Sequence, residues 1–142
     1  MEMKGDNRME SVYLEEARRL RAITEKHYNC AQSVLVPFAG KCGISEEQAY
    51  KTAANFGAGM KIGSVCGAVT GALMALGLLG IDDPASVGAF FRSIRERHEG
   101  CIDCADLLRI NKRDGGEKKP HCDAMVYECV QLVEEMMRGK EE

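Results

Sequence analysis

The run of residues 62–81 carries no charged side chain and constrains the fold more than any other part of the sequence. Its length is just sufficient for a helix to cross a lipid bilayer. Five glycines interrupt it, however, and neither flank carries the aromatic and basic anchors that a single membrane span usually shows. Gly67 and Gly71, four residues apart, instead offer a smooth face on which neighbouring helices can pack closely. The segment therefore predicts a buried, glycine-rich central helix, and no membrane association is expected.

Most other segments have a helical period. Apolar residues recur at steps of three and four, and no segment alternates as a β-strand does. In the first helix Arg18, Arg19 and Arg21 are expected to point mostly outwards, while Pro37 should kink or end the second helix and Gly40 should stop it. The predicted helices cover residues 9–23, 30–38, 45–56, 65–79, a segment that begins at 83, then 104–110 and 121–138. Lys118 and Lys119 fall in a predicted solvated linker before the last helix.

Length and composition indicate one all-α domain. A chain of 142 residues without internal repeats is typical of a single compact helical bundle, here residues 1–142 with flexible tails at 1–8 and 139–142. The net charge of −3 and the scattered basic residues argue against nucleic-acid binding. Residues 1–10 carry mixed charge and no apolar run, so no secretory signal is expected and the predicted location is cytoplasmic. In a reducing compartment, cysteines serve redox or metal chemistry more often than structural disulfides.

Four of the seven cysteines lie where the local sequence predicts the start of a helix: Cys30, Cys66, Cys104 and Cys122. Asn29 and Gln32 form a capping box around the first of these, and Asp103 precedes the third as a possible cap. The positive end of a helix favours a thiolate over a thiol, and the thiolate is the form that attacks disulfides or binds metals. Four such positions favour chemistry over simple burial, although any single helical cysteine is equally well explained as a small core residue.

The helix starts are expected to converge. With short connections, alternate helices begin at the same end of a bundle, which would place the four thiols around one pocket. His27 and His121 lie close in sequence to Cys30 and Cys122 and could activate them as bases, whereas His98 falls near the end of the fifth helix. Such a pocket suits a metal, a cluster, an anion or a redox partner.

Other motifs are weaker. Cys101 and Cys104 form a CxxC, but no strand precedes it as in thioredoxin-like folds. Adding Cys122 and Cys129 does not produce the spacing of a zinc ribbon. The glycine-rich residues 57–63 lack the ending and the preceding strand of a phosphate loop, and indicate a turn that lets the backbone approach the site.

The order of the cysteine motifs resembles that of the family of redox-active proteins named for its C_GCAxxG_C_C pattern. The residues that carry the resemblance extend from Cys30 to about Val130 and include Cys66-Gly67-Ala68-Val69-Thr70-Gly71. In this central motif Cys and Gly are transposed relative to the family's name. The resemblance implies a small helical protein with thiol chemistry and names no substrate.

The sequence therefore predicts thiol-dependent redox chemistry with Cys30, Cys66, Cys104 and Cys122 as the catalytic set, in a thiol–disulfide or electron-transfer oxidoreductase. Cys66 is the expected nucleophile, since no carboxylate neighbours it. Two alternatives stay open: the same four thiolates as ligands of zinc or an iron–sulfur cluster, or a helical interaction module whose cysteines only pack. The partner would be an unidentified redox protein or a small-molecule oxidant, and a homo-oligomer is possible. The glycines expected to bind a cofactor are Gly63, Gly67 and Gly71.

Overall fold

The computed structural model describes residues 11–141, which form an all-α fold with no strand and one antiparallel β-bridge, between Val65 and Asp103. The predicted fold class is confirmed. The expected tail at 1–8 lies outside the described residues, while 139–141 continue the last helix. The helices are α1 (Val12–Ala22), α2 (Cys30–Leu35), α3 (Ala39–Cys42), α4 (Glu46–Thr52), α5 (Gly67–Leu78), α6 (Pro84–Arg97), α7 (Cys104–Arg113) and α8 (Lys118–Glu141).

Local capping chemistry accounts for several helix starts. Asn29 caps α2 and Ser45 caps α4, each in a capping box with the glutamine three residues later. Asp83 caps α6, with Pro84 in its first turn. These predicted helix starts are confirmed.

Several predicted helix boundaries are wrong. Gly40 lies inside α3, and the chain turns instead at Gly43, whose φ of +78° suits glycine. The helix predicted to reach Phe56 ends at Thr52 and is followed by a 3₁₀ turn. The last helix begins at Lys118, three residues before the predicted start, so the expected linker is short.

The core is built mainly from α1, α2, α5 and α8. α2 packs along α5, and both contact α8. Gly71 allows the closest approach, because a Cβ there would lie 2.6 Å from the carbonyl oxygen of Ala31. The small-residue face predicted for this segment therefore packs against α2.

α5 is not enclosed on all sides. Residues from Gly67 to Leu76 include its buried side, but Leu78 near its end is 46% exposed. Within residues 11–141, no helix combines the length and the apolar character needed to span a bilayer.

Candidate thiol site

One cavity of about 230 Å³ is lined by all four predicted site cysteines, Cys30, Cys66, Cys104 and Cys122. They come from the starts of α2, α5 and α7 and from the second turn of α8. The predicted convergence of the four thiols is confirmed. A larger groove of about 570 Å³ runs between α6 and α8, but no cysteine or histidine lines it, so we place the candidate chemistry in the smaller cavity.

Backbone hydrogen bonds hold the main-chain segments of Cys66 and Cys104 together. The amide of Cys66 donates to the carbonyl of Ile102 at 2.9 Å, and the amide of Cys104 donates to the carbonyl of Ser64 at 2.6 Å. This short β-bridge joins the segments that precede α5 and α7. Cys66 and Cys104 are therefore positioned by main-chain atoms and not by their own side chains.

A left-handed turn lies between α4 and the segment that precedes α5. Ala58, Gly59, Met60 and Lys61 all have positive φ, between 53° and 65°. For a residue other than glycine, this left-handed conformation costs about 1–2 kcal/mol relative to the right-handed helical one. At Gly59 a Cβ would overlap the backbone of Ser64 and lie 2.8 Å from the Cβ of Cys104. The turn thus brings the backbone against the site, as residues 57–63 predicted.

The three glycines expected to bind a cofactor differ in position. Gly67 lines the cavity, and a Cβ there would lie 3.3 Å from the Cβ of Cys30. Gly71 packs against α2, and Gly63 sits in the left-handed turn with a φ of +75°; neither lines the cavity. Only Gly67 is placed to touch a bound molecule.

Cys30 and Cys122 act as a pair. Hydrogen bonding with Cys30 lowers the pKa of Cys122 to about 6, and the charges of Arg21 and Lys118 contribute in the same direction, against the effect of burial. The same hydrogen bond, together with burial, raises the pKa of Cys30 well above its ordinary value. One thiolate on Cys122 and one thiol on Cys30 are therefore the stable arrangement at neutral pH.

Arg21 is a site residue that the sequence interpretation missed. Its side chain is only 10% exposed, donates to Asp123 at 2.7 Å and lines the cavity, so the prediction that it points outwards is wrong. The signal was present in the helical spacing. Leu14 and Ala17 are buried on α1, and Arg21 follows at a step of four on the same face.

Lys118 also lines the cavity, at the first turn of α8. Burial raises the pKa of Cys104, and the charge of Lys118 offsets part of that rise. The same charge contributes to the lowered pKa of Cys122. Its position close to Gly115 and Gly116 predicts a solvated linker, and nothing in the local sequence indicates that it faces the thiols.

Cys66 does not ionise readily. Burial raises its pKa to about 11, and the backbone amides of Ala68 and Val69 at the start of α5 offset this only in part. The side chain is 6% exposed. Burial likewise raises the pKa of Cys104, and the nearby charge of Cys122 adds to that effect. The easier ionisation expected for Cys66 is therefore wrong, because burial outweighs the favourable helix terminus.

His27 and His121 both line the cavity, as their sequence positions predicted. Burial lowers the pKa of His121, and the charge of His98 adds to this, so His121 is neutral at neutral pH. His98 lies outside the cavity, where its Nε2 is 2.9 Å from Oε1 of Glu128. His121 is thus a neutral base beside the thiols.

The remaining cysteines lie outside this cavity. Cys129 is fully buried, and burial raises its pKa well above the ordinary value. Cys42 and Cys101 are partly exposed. All seven cysteines are free thiols, so none is committed to a structural disulfide.

The alternative of zinc or an iron–sulfur cluster held by the four thiols stays a prediction. Over residues 11–141, no group of three or more His, Cys, Asp or Glu side chains is arranged to hold a metal ion.

Comparison with known proteins identifies the family of the chain. No curated protein and no solved structure matches the chain. One family model does, over residues 28–136, a stretch that begins just before Cys30 and includes all four cysteines of the cavity. Because the match covers more than half of the chain, the protein belongs to the family described as "Putative redox-active protein (C_GCAxxG_C_C)".

Proposed function

We propose that this protein exchanges thiols with disulfides, with Cys122 as the attacking thiolate and Cys30 as the resolving thiol. The observation that carries the proposal is that Cys30 and Cys122 line one cavity together with Arg21 and Lys118. A low pKa makes Cys122 a thiolate at neutral pH, and the thiolate is the reactive form.

The reaction balances without a cofactor. The Cys122 thiolate attacks one sulfur of a disulfide R–S–S–R, forms a mixed disulfide and expels RS⁻. Cys30 then gives up its proton, which RS⁻ takes up directly or through His121, and its sulfur attacks that of Cys122 and expels the second RS⁻. The protein loses two electrons, the substrate gains two, and a Cys30–Cys122 disulfide remains.

Geometry favours this pair over the other site cysteines. Both residues line one cavity, and each contributes to the shifted pKa of the other. Cys66 and Cys104 line the same cavity and stay protonated through this step because their pKa values are raised. In this proposal they are the next thiols to exchange with the new disulfide, which completes the set of four.

The experiment treats the fully reduced protein with a small excess of bis(2-hydroxyethyl) disulfide and maps the products by peptide mass spectrometry. We expect a Cys30–Cys122 disulfide in the wild type, a stable mixed disulfide on Cys122 in Cys30→Ser, and no fast reaction in Cys122→Ser. Cys42→Ser, outside the cavity, is the matched control and should react as the wild type does. Fast reaction of Cys122→Ser together with loss of reaction in Cys66→Ser would overturn the assignment of Cys122.

A further inference from the structure

The charged side chains that line the thiol cavity are all basic. Arg21 and Lys118 contribute two permanent positive charges, and His27 and His121 contribute two imidazoles. No aspartate or glutamate of residues 11–141 lines it. Asp123 does not line it, but its carboxylate accepts from Arg21 at 2.7 Å and lies 3.1 Å from the Nζ of Lys119, so it offsets part of the positive charge of Arg21.

The cavity is also small. Its volume of about 230 Å³ is below the ~300–1,000 Å³ of most pockets for drug-sized ligands. The Cys66 thiol, 6% exposed, makes no hydrogen bond to any described side chain and lines the interior. Cys122, the attacking residue of the proposed exchange, is only partly buried, so it is the small volume of the cavity that favours a small disulfide.

We infer that the substrate is a small disulfide with anionic substituents, such as a dicarboxylate disulfide, held by Arg21 and Lys118. This inference rests on the proposed thiol–disulfide exchange and adds the substrate class. A negative group near two cations is attracted into the cavity, whereas a positive group is repelled. The same two cations stabilise the thiolates RS⁻ that leave in each step.

The test compares three disulfides of similar size that differ in charge. Dithiodiglycolate carries two negative charges, bis(2-hydroxyethyl) disulfide carries none, and cystamine carries two positive charges. Each oxidation rate of the reduced protein is divided by the rate of the same disulfide with 2-mercaptoethanol, which removes differences in intrinsic reactivity. At low salt we expect the normalised rate of the dianion to exceed that of the neutral disulfide by about tenfold or more, with cystamine slowest.

Variants separate charge recognition from thiol activation. Lys118→Gln also raises the pKa of Cys122, which slows all three disulfides alike, so the ratio of anionic to neutral rates is the diagnostic quantity. We expect this ratio to fall in Lys118→Gln and to return in Lys118→Arg. Lys112→Gln, an exposed lysine of α7 that does not line the cavity, is the matched control. Added salt should reduce the ratio in the wild type.

The outcomes distinguish the two proposals. Equal normalised rates for the three disulfides, or fastest reaction with cystamine, would overturn the inference about the substrate and leave the exchange reaction standing. Failure of all three disulfides to oxidise Cys30 and Cys122 would overturn both.

Discussion

Cys30, at the start of α2, and Cys122, in the second turn of α8, line the same cavity, and hydrogen bonding with Cys30 lowers the pKa of Cys122. Neither residue acquires its ionisation behaviour from its own helix alone. The pair shares one proton, and the charge settles on Cys122 because Cys30 is the more deeply buried partner and Lys118 lies near Cys122.

Removing the donor should make Cys122 a weaker acid. In Cys30→Ala the pKa of Cys122 should rise from about 6 towards the ordinary value of 9.0, since the largest stabilising contribution is lost. Cys30→Ser keeps a hydroxyl donor and should retain much of the low value. The measurement is the rate of iodoacetamide alkylation at Cys122 from pH 4 to 10. Equal pH midpoints for the alkylation of Cys122 in Cys30→Ala and Cys30→Ser would contradict this account.

The charge of Arg21 should also help to lower the pKa of Cys122. Arg21→Gln removes a cation beside the thiolate, so the pKa of Cys122 should rise and its alkylation at pH 6–7 should slow. Arg21→Lys keeps the charge and should restore part of the rate. Arg18→Gln is the control, because Arg18 stacks on the Tyr127 ring, 5.5 Å from its centroid, and does not line the cavity. An unchanged midpoint in Arg21→Gln would show that this charge has no effect on the thiol.

The close packing of α2 on α5 should depend on the absence of a side chain at Gly71. Gly71→Ala places a Cβ 2.6 Å from the carbonyl oxygen of Ala31, which is backbone and cannot rotate away, so a loss of about 1–3 kcal/mol in the free energy of unfolding is expected. Gly77→Ala on the same helix meets nothing within 4 Å and should be neutral or stabilising by up to about 1 kcal/mol. Urea unfolding measures both variants. Equal effects at the two positions would argue against close contact of the helices.

The left-handed turn should control the position of Cys104. Gly59→Ala adds backbone strain at a φ of +63° and a clash with Ser64 and Cys104, so it should lower stability and expose Cys104 to alkylation. Gly115→Ala carries a similar strain at a φ of +84° but has open space around it. The difference between these variants, measured by urea unfolding and by labelling of Cys104, isolates the clash. We expect increased labelling of Cys104 in Gly59→Ala only.

Much of the fold follows from short-range patterns. The capping boxes at Asn29 and Ser45 and the Asp83–Pro84 start were predictable, because a cap bonds to amides two or three residues away. Boundaries were less predictable where 3₁₀ turns continue the chain, as after Leu35 and Thr52. Tertiary packing, and not local propensity, decides how such segments end.

The candidate site shows a similar division. The positions of Cys30 and Cys104 at helix starts could be predicted from neighbouring residues. The inward position of Arg21 was available in the spacing of α1 but was outweighed by its charge, which normally favours solvent. The position of Lys118 beside the thiols had no local signal at all.

The sequence by itself determined that the chain is helical and where most of its helices begin. It also determined that four thiols lie near helix starts. All three follow from periodicity and capping, which depend on residues within one or two helical turns. Only the tertiary structure decided which thiol is acidic. Cys66 occupies a favourable helix terminus but is buried, whereas Cys122 receives a hydrogen bond from Cys30 and the charge of Arg21. Burial and charge act through space, between segments whose proximity arises only when the helices pack.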